Sequence, residues 1–145
     1  SNALIDDLYK PADIKLTSVK VDVYKKSLED VFKPYLESGL SAERSMYLLS
    51  SGDQTASIDL EKLAEIHHNI SNDLISIDVP YAVAGPHLSM ANNSAKISLS
   101  LLNVKNLEED PILAMIGLRQ YFEYSKEYEK AVADLSIYFK ANGII

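Results

Sequence analysis

The sequence predicts an all-α protein, an up-down antiparallel bundle of four main helices. Three observations support this prediction. In four long stretches, apolar residues recur at alternating spacings of three and four, which is the period of one face of a helix. The 145 residues include only five glycines and five prolines, too few for a sheet protein rich in turns. The connections between the stretches are short, and short connections in bundles join antiparallel neighbours.

The N-terminal residues are expected to lie outside the main helices. Residues 1–3 look like the remnant of a removed expression tag, so a single bundle domain is assigned to residues 4–145. Residues 4–16 predict a short helical turn around Pro11 and then an extended lead-in. Because Leu4 is not a methionine, we expect a trimmed signal peptide or membrane anchor before it. A disordered or separate N-terminal region is the alternative.

The first long helix is expected to be capped by Thr17 or Ser18 and to end at Gly39. Pro34 lacks an N–H group and should kink or weaken its last turn. The apolar face of this helix consists of Val21, Tyr24, Leu28, Val31 and Tyr35.

The second main helix is expected to be split near Gly52. Ser41 is its predicted N-cap, and Ser-Ser-Gly-Asp at residues 50–53 interrupts it. The apolar period keeps its phase from Ala42 to Ile77 across this interruption. We therefore predict two collinear helices or one long kinked helix.

The third and fourth helices follow short connections. The third is expected to start or bend near Gly85 and Pro86, and its apolar face is Val83, His87, Met90, Ser94, Ile97, Leu101 and Val104. The fourth is expected to begin at Asp110 as N-cap with Pro111 as its first residue, and Gly143 should follow its last turn. Its apolar face is Ala114, Leu118, Tyr121, Ser125, Tyr128, Val132, Leu135 and Phe139.

Composition excludes several classes of function. The net charge of −7 disfavours binding to nucleic acid, because both surfaces would be negative. The absence of cysteine excludes disulfides and thiolate zinc sites, and no apolar run is long enough to span a bilayer. No phosphate-binding glycine loop, nucleophile elbow or zinc-protease motif is present. We therefore expect neither catalysis nor a cofactor.

His67, His87 and Tyr128 are the candidate site residues. The two histidines lie on the apolar faces of consecutive helices at similar distances from the Asp78 connection, and Tyr128 is expected at the same level. They could form a buried polar layer that sets the helix register, or bind a polar ligand or a metal. We favour the structural layer, because no inward carboxylate is available to complete a metal site.

Two further patterns have competing interpretations. Tyr121, Tyr124 and Tyr128 could line an aromatic groove, although such residues more often belong to the core. Glu65 and His68 have the spacing of a di-iron ligand pair, but such a site needs a second pair and two more glutamates. We therefore predict no metal.

The chain also resembles uncharacterised all-helical proteins of uncultured bacteria. The resemblance rests on Val79-Pro80, His87-Leu88, Asn92 or Asn93, Asp110-Pro111, Gly117-Leu118 and Gln120-Tyr121, and it covers about the last two-thirds of the chain. Pro86 departs from the uninterrupted helix expected there. Many of those proteins carry an N-terminal membrane anchor, so the resemblance implies an extracytoplasmic location.

These observations lead to one expected function and one alternative. We expect a non-catalytic extracytoplasmic domain that binds an unidentified protein partner or supports a cell-surface assembly. Its only expected contact with a membrane is through the removed N-terminal anchor. The alternative is a small-ligand sensor, since bundles can hold ligands between their helices. A cavity near the candidate residues would favour the sensor, and an apolar surface patch would favour the partner domain.

Overall fold

The computed structural model describes residues 4–145 and confirms an all-α bundle. Its helices are α1 (Val21–Ser38), α2 (Ala42–Ser50), α3 (Ala56–Ser76), α4 (Ala84–Val104) and α5 (Pro111–Ala141). Two short strands, β1 (Leu16–Thr17) and β2 (Val79–Pro80), and two 3-10 turns, Pro11–Asp13 and Tyr81–Val83, complete it. None of the helices in this range is both long and apolar enough to cross a membrane. The predicted tag remnant lies outside the described residues.

The N-terminal segment lies outside the main helices, as predicted, and packs against the bundle. A 3-10 turn begins at Pro11, and the extended lead-in pairs in parallel with β2, with Leu16 opposite Val79. Further upstream, the Asn92 side chain accepts a hydrogen bond from the Tyr9 N–H at 2.8 Å and donates one to the Tyr9 carbonyl at 3.1 Å. This pair satisfies the backbone of the segment where it crosses α4.

Most predicted helix ends are confirmed. The Ser41 side chain accepts from the Arg44 N–H at 3.2 Å, and Asp110 accepts from the Leu113 N–H at 3.0 Å. Gly39 ends α1 with φ of 66°, a left-handed conformation that favours glycine. The predicted cap of α1 is wrong.

The N-cap of α1 is Lys20, which makes no side-chain capping bond. The Thr17 hydroxyl instead accepts from the Val19 N–H at 3.2 Å. Thr17 is held in β1, so it lies too far upstream to reach the first turn of the helix. The Thr17 hydroxyl therefore bonds to the backbone of the β1–α1 connection and does not cap the helix.

The predicted interruption near Gly52 is confirmed, but α2 and α3 do not lie end to end. Ala42 of α2 lines the same cavity as Leu63 and His67 of α3. Collinear helices would separate Ala42 from Leu63 by about 30 Å at 1.5 Å per residue. The chain therefore reverses at residues 51–55, where Gly52 has φ of 96°, and α2 packs beside α3.

α4 is the central helix, packed mainly against α3 and α5. The Ser98 hydroxyl donates to the Ala64 carbonyl at 2.6 Å, and Lys105 pairs with Glu61 at 2.8 Å. Residues late in α4 thus meet residues early in α3, so these helices are antiparallel. Gly117, early in α5, lies close to Ser100, late in α4, so α4 and α5 are also antiparallel. Buried residues occur along the whole length of α4. The up-down order of the whole bundle stays a prediction.

The buried face of α5 differs from the predicted one. Leu118 and Val132 are more than one-third exposed, whereas Gly117 and Gln120 are buried. The helix is rotated toward α4 because Gly117 allows close contact on that side. The predicted apolar face therefore turns partly away from α4, and its middle positions line a cavity.

Candidate functional site

A cavity of about 190 Å³ lies between the α1–α2 side of the molecule and α5. Four aromatic rings line it: Phe32 and Tyr35 from α1, and Tyr121 and Tyr128 from α5. Its remaining lining is aliphatic at Ala42, Leu63, Ile70 and Ile97 and polar at Glu43, His67, Ser125 and Glu129. A mostly apolar cavity with a few convergent polar groups is the usual form of a small-molecule site.

The break between α1 and α2 positions two walls of this cavity. Gly39 ends α1, and Ser41 caps α2 two residues later, so the chain changes direction at this point. Tyr35 stands just before the break, and Ala42 and Glu43 stand just after it. Because α5 packs mainly on α4, it leaves space opposite the break.

His67 contributes an imidazole ring to the lining. Its ring stacks at an angle against Tyr35, with centroids 5.5 Å apart. Its Nδ1 atom is buried and has no hydrogen-bond partner among the described residues. Burial lowers the pKa of His67 to about 4, because desolvation disfavours the charged imidazolium. The ring is therefore neutral at neutral pH.

Tyrosine hydroxyls and carboxylates form the rest of the polar lining. The Tyr121 hydroxyl donates to Glu43 at 2.8 Å, and Ser125 also lines the cavity. Burial, reinforced by the Glu43 carboxylate, raises the pKa of Tyr121. Burial and the nearby Tyr35 hydroxyl likewise raise the pKa of Tyr128. Both phenols therefore stay protonated and available for hydrogen bonding.

The structure brings His67 and Tyr128 together, but it places His87 elsewhere. His87 is fully buried and bonds to the Leu74 carbonyl, seven residues beyond His67 along α3. That interval corresponds to about 10 Å. The levels differ because α4 begins only at Ala84, so His87 lies in its first turn. The predicted three-residue layer is thus divided between two sites.

His87 belongs to a satisfied hydrogen-bond network instead. Its Nε2 lies 2.7 Å from the Leu74 carbonyl oxygen, which can only accept, so Nε2 carries the proton. Its Nδ1 then accepts from the Tyr24 hydroxyl at 2.7 Å. Desolvation lowers the pKa of His87, opposed by the bond to Leu74. His87 therefore joins α1, α3 and α4 as a structural residue.

The other sequence candidates do not gather around a metal. Within residues 4–145, no group of three histidine, aspartate or glutamate side chains could hold a metal ion. Glu65 and His68 are exposed on α3. Of the three tyrosines proposed for an aromatic groove, Tyr121 and Tyr128 line the cavity, whereas Tyr124 packs near Lys96, whose Nζ lies 5.0 Å from its ring centroid.

The residues that α1 and α2 contribute to the cavity were not predicted as site residues. Phe32 lies off the predicted apolar face of α1, and Glu43 resembled an ordinary acid in a first helical turn. Their role depends on the reversal of the chain after α2. No local signal could have identified it.

A second feature is the outer face of α5. Nine exposed residues recur there at spacings of three and four: Ile112, Met115, Arg119, Phe122, Lys126, Lys130, Ala133, Ile137 and Lys140. These nine residues include four cations, and the exposed acids Glu123, Glu127, Glu129 and Asp134 of the same helix flank them. None of these cations forms an ion pair with another described residue.

No family model, curated protein or solved structure matches the chain. The class of function has to be inferred from the cavity and from the α5 outer face.

His67 should make stability depend on pH. Its folded pKa of about 4 lies below the unfolded value of about 6.5, so the unfolded state binds more protons between these values. Stability should be fully present above about pH 6.5 and fall as pH decreases. Between about pH 7.5 and 5.5, His67 should account for a loss of about 1.3 kcal/mol, and His87 should add to it.

Urea unfolding at both pH values measures this loss. His67→Leu should reduce it, and His68→Leu, at an exposed position of the same helix, is the matched control. A pH dependence that is unchanged in His67→Leu would show that the ring is solvated in solution.

Proposed function

We propose that this domain is a non-catalytic helical bundle that binds a small molecule in the cavity between α1–α2 and α5. The observation that carries the proposal is a cavity of about 190 Å³ that is lined by aromatic rings and by a few polar side chains, His67 among them. This combination is the usual form of a small-molecule site.

The size of the cavity indicates the size of the ligand. A cavity of about 150 Å³ is sufficient to bind benzene. A volume of about 190 Å³ therefore suits a molecule with one ring and a short substituent. The lining offers phenol groups, a neutral imidazole and carboxylates for hydrogen bonds.

Thermal unfolding with benzyl alcohol tests whether the cavity binds such molecules. At about ten times Kd, binding should stabilise the protein by about 1.4 kcal/mol. This corresponds to a rise in Tm of about 4 °C for a domain of this size. Ala42→Leu places a larger side chain into the cavity and should abolish the rise.

The matched control is Ala133→Leu on the exposed surface of α5, which should keep the full effect. The proposal fails if Ala42→Leu responds to the alcohol as strongly as the wild type does.

A second candidate function is docking of a protein partner on the α5 outer face. Ile112, Met115, Phe122 and Ile137 are each more than half exposed there, and four cations lie on the same face. The charge favours a partner segment that is acidic and apolar. Such docking fits a domain that supports a cell-surface assembly. The extracytoplasmic location is also proposed, and it is supported by the resemblance in the last two-thirds of the chain.

Photocrosslinking from position 122 in the full-length protein tests the docking proposal. The crosslinked segment should be acidic, and Lys126→Glu should abolish the crosslink. A crosslinker at exposed Glu65 is the control. A partner segment that is basic or uncharged would exclude this mode of docking.

A further inference from the structure

We infer that the cavity selects a small organic cation, an amine or a quaternary ammonium ion. This inference rests on the proposed small-molecule function and adds the charge of the ligand. It depends on three properties of the lining: its charge, its aromatic rings and its hydrogen-bond acceptors.

The formal charges around the cavity are all negative. Glu43 and Glu129 line it, and no lysine or arginine does. His67 does not offset them, because its pKa of about 4 leaves the ring neutral at neutral pH. The chain as a whole carries a net charge of −7, so the surrounding field also attracts cations. An anionic ligand would be repelled by both the lining and the field.

Aromatic rings provide the second attraction. Phe32 and Tyr35 come from α1 and Tyr121 and Tyr128 from α5, so rings border the cavity on two sides. Phe32 and Tyr128 meet edge to face, with centroids 6.3 Å apart and an interplanar angle of 76°. The negative face of an aromatic ring attracts ammonium groups, more strongly where water is excluded.

The carboxylates provide directional contacts for an amine. Glu43 and Glu129 can accept hydrogen bonds from an ammonium N–H, and such charge-assisted bonds are stronger than neutral ones. A quaternary ammonium ion would bind through the rings and carboxylates alone.

Benzylamine, benzyl alcohol and benzoate are matched probes, because they share one ring and differ mainly in charge. Isothermal titration of the whole domain should give benzylamine a Kd about tenfold below that of benzyl alcohol, with benzoate the weakest. Added salt should reduce the preference for benzylamine.

The outcomes separate this inference from the proposed function. Benzyl alcohol binding as tightly as benzylamine, or more tightly, would overturn the cation preference and leave a small-molecule site in place. Failure of all three probes to bind would overturn both.

Variants assign the preference to the cavity. Glu43→Gln keeps an oxygen for the Tyr121 hydroxyl but removes the charge, so it should weaken benzylamine about tenfold more than it weakens benzyl alcohol. Glu129→Gln is a second variant at an exposed position of the lining, where folding is least at risk. Glu65→Gln removes the same charge from an exposed site outside the cavity lining and is the control. Equal weakening in all three variants would attribute the preference to net charge and overturn the inference.

Discussion

Gly117→Ala is expected to destabilise the protein by about 2 to 3 kcal/mol, although alanine is the better helix former by about 1 kcal/mol. A Cβ at this position would lie 2.6 Å from the Asn103 Cβ, 2.8 Å from the Ser100 carbonyl oxygen and 2.9 Å from the Val104 nitrogen. Two of these atoms belong to the backbone of α4, so a change of side-chain rotamer cannot relieve the clash. The two helices would have to separate and lose packing along their length.

Urea unfolding measures the effect, and Gly85→Ala is its matched control. Gly85 also lies in a helix, but nothing lies within 4 Å of an added Cβ there. Gly85→Ala should therefore leave stability unchanged or raise it by about 0.5 kcal/mol. The same glycine-to-alanine substitution should therefore lower the free energy of unfolding at position 117 and leave it unchanged or raise it at position 85. Equal stability of both variants would mean that α4 and α5 are further apart in solution than in the structure.

His87→Ala is expected to cost about 4 kcal/mol. The side chain is fully buried, so its removal leaves a cavity. It also leaves the Tyr24 hydroxyl and the Leu74 carbonyl without their partner in the core. Tyr24→Phe removes only one hydrogen bond of this network and should cost about 1 to 2 kcal/mol.

The control for His87→Ala is His68→Ala, on the exposed side of α3. It should change stability by less than about 0.5 kcal/mol. Chemical denaturation at about pH 7.5 keeps histidine protonation from contributing to the comparison. Similar losses in the two variants would show that the network is not formed in solution.

The buried positions could be predicted best where a helix packs on two sides. All seven residues of the predicted face of α4, from Val83 to Val104, are buried. In α1, the central positions Tyr24, Leu28 and Val31 are also buried. A helix at the centre of a bundle is buried on most sides, so its predicted apolar positions are buried whichever way the helix is turned. α5 contacts fewer neighbours, and its rotation about its own axis depends on close contact at Gly117. A glycine has no apolar side chain, so a pattern of apolar residues does not reveal this contact.

The candidate site could be predicted only in part. His67 and Tyr128 do share a cavity, but His87 lies about 10 Å away along α3. Similar distances of the two histidines from Asp78 place them at one level only if α3 ends and α4 begins equally close to that connection. The pairing of β1 with β2 and the 3-10 turn at Tyr81–Val83 instead delay the start of α4.

By itself, the sequence determined the helices and most of their ends. Capping by Ser41 and Asp110 and termination at Gly39 are contacts within a few residues, so local chemistry is sufficient to specify them. Tertiary structure decided the direction of the chain after Gly52. The apolar phase from Ala42 to Ile77 is compatible with collinear helices and with a hairpin, because both bury the same face. Only packing between distant residues distinguishes these two arrangements, and that choice brings Glu43 to His67 and Tyr121 and so creates the cavity.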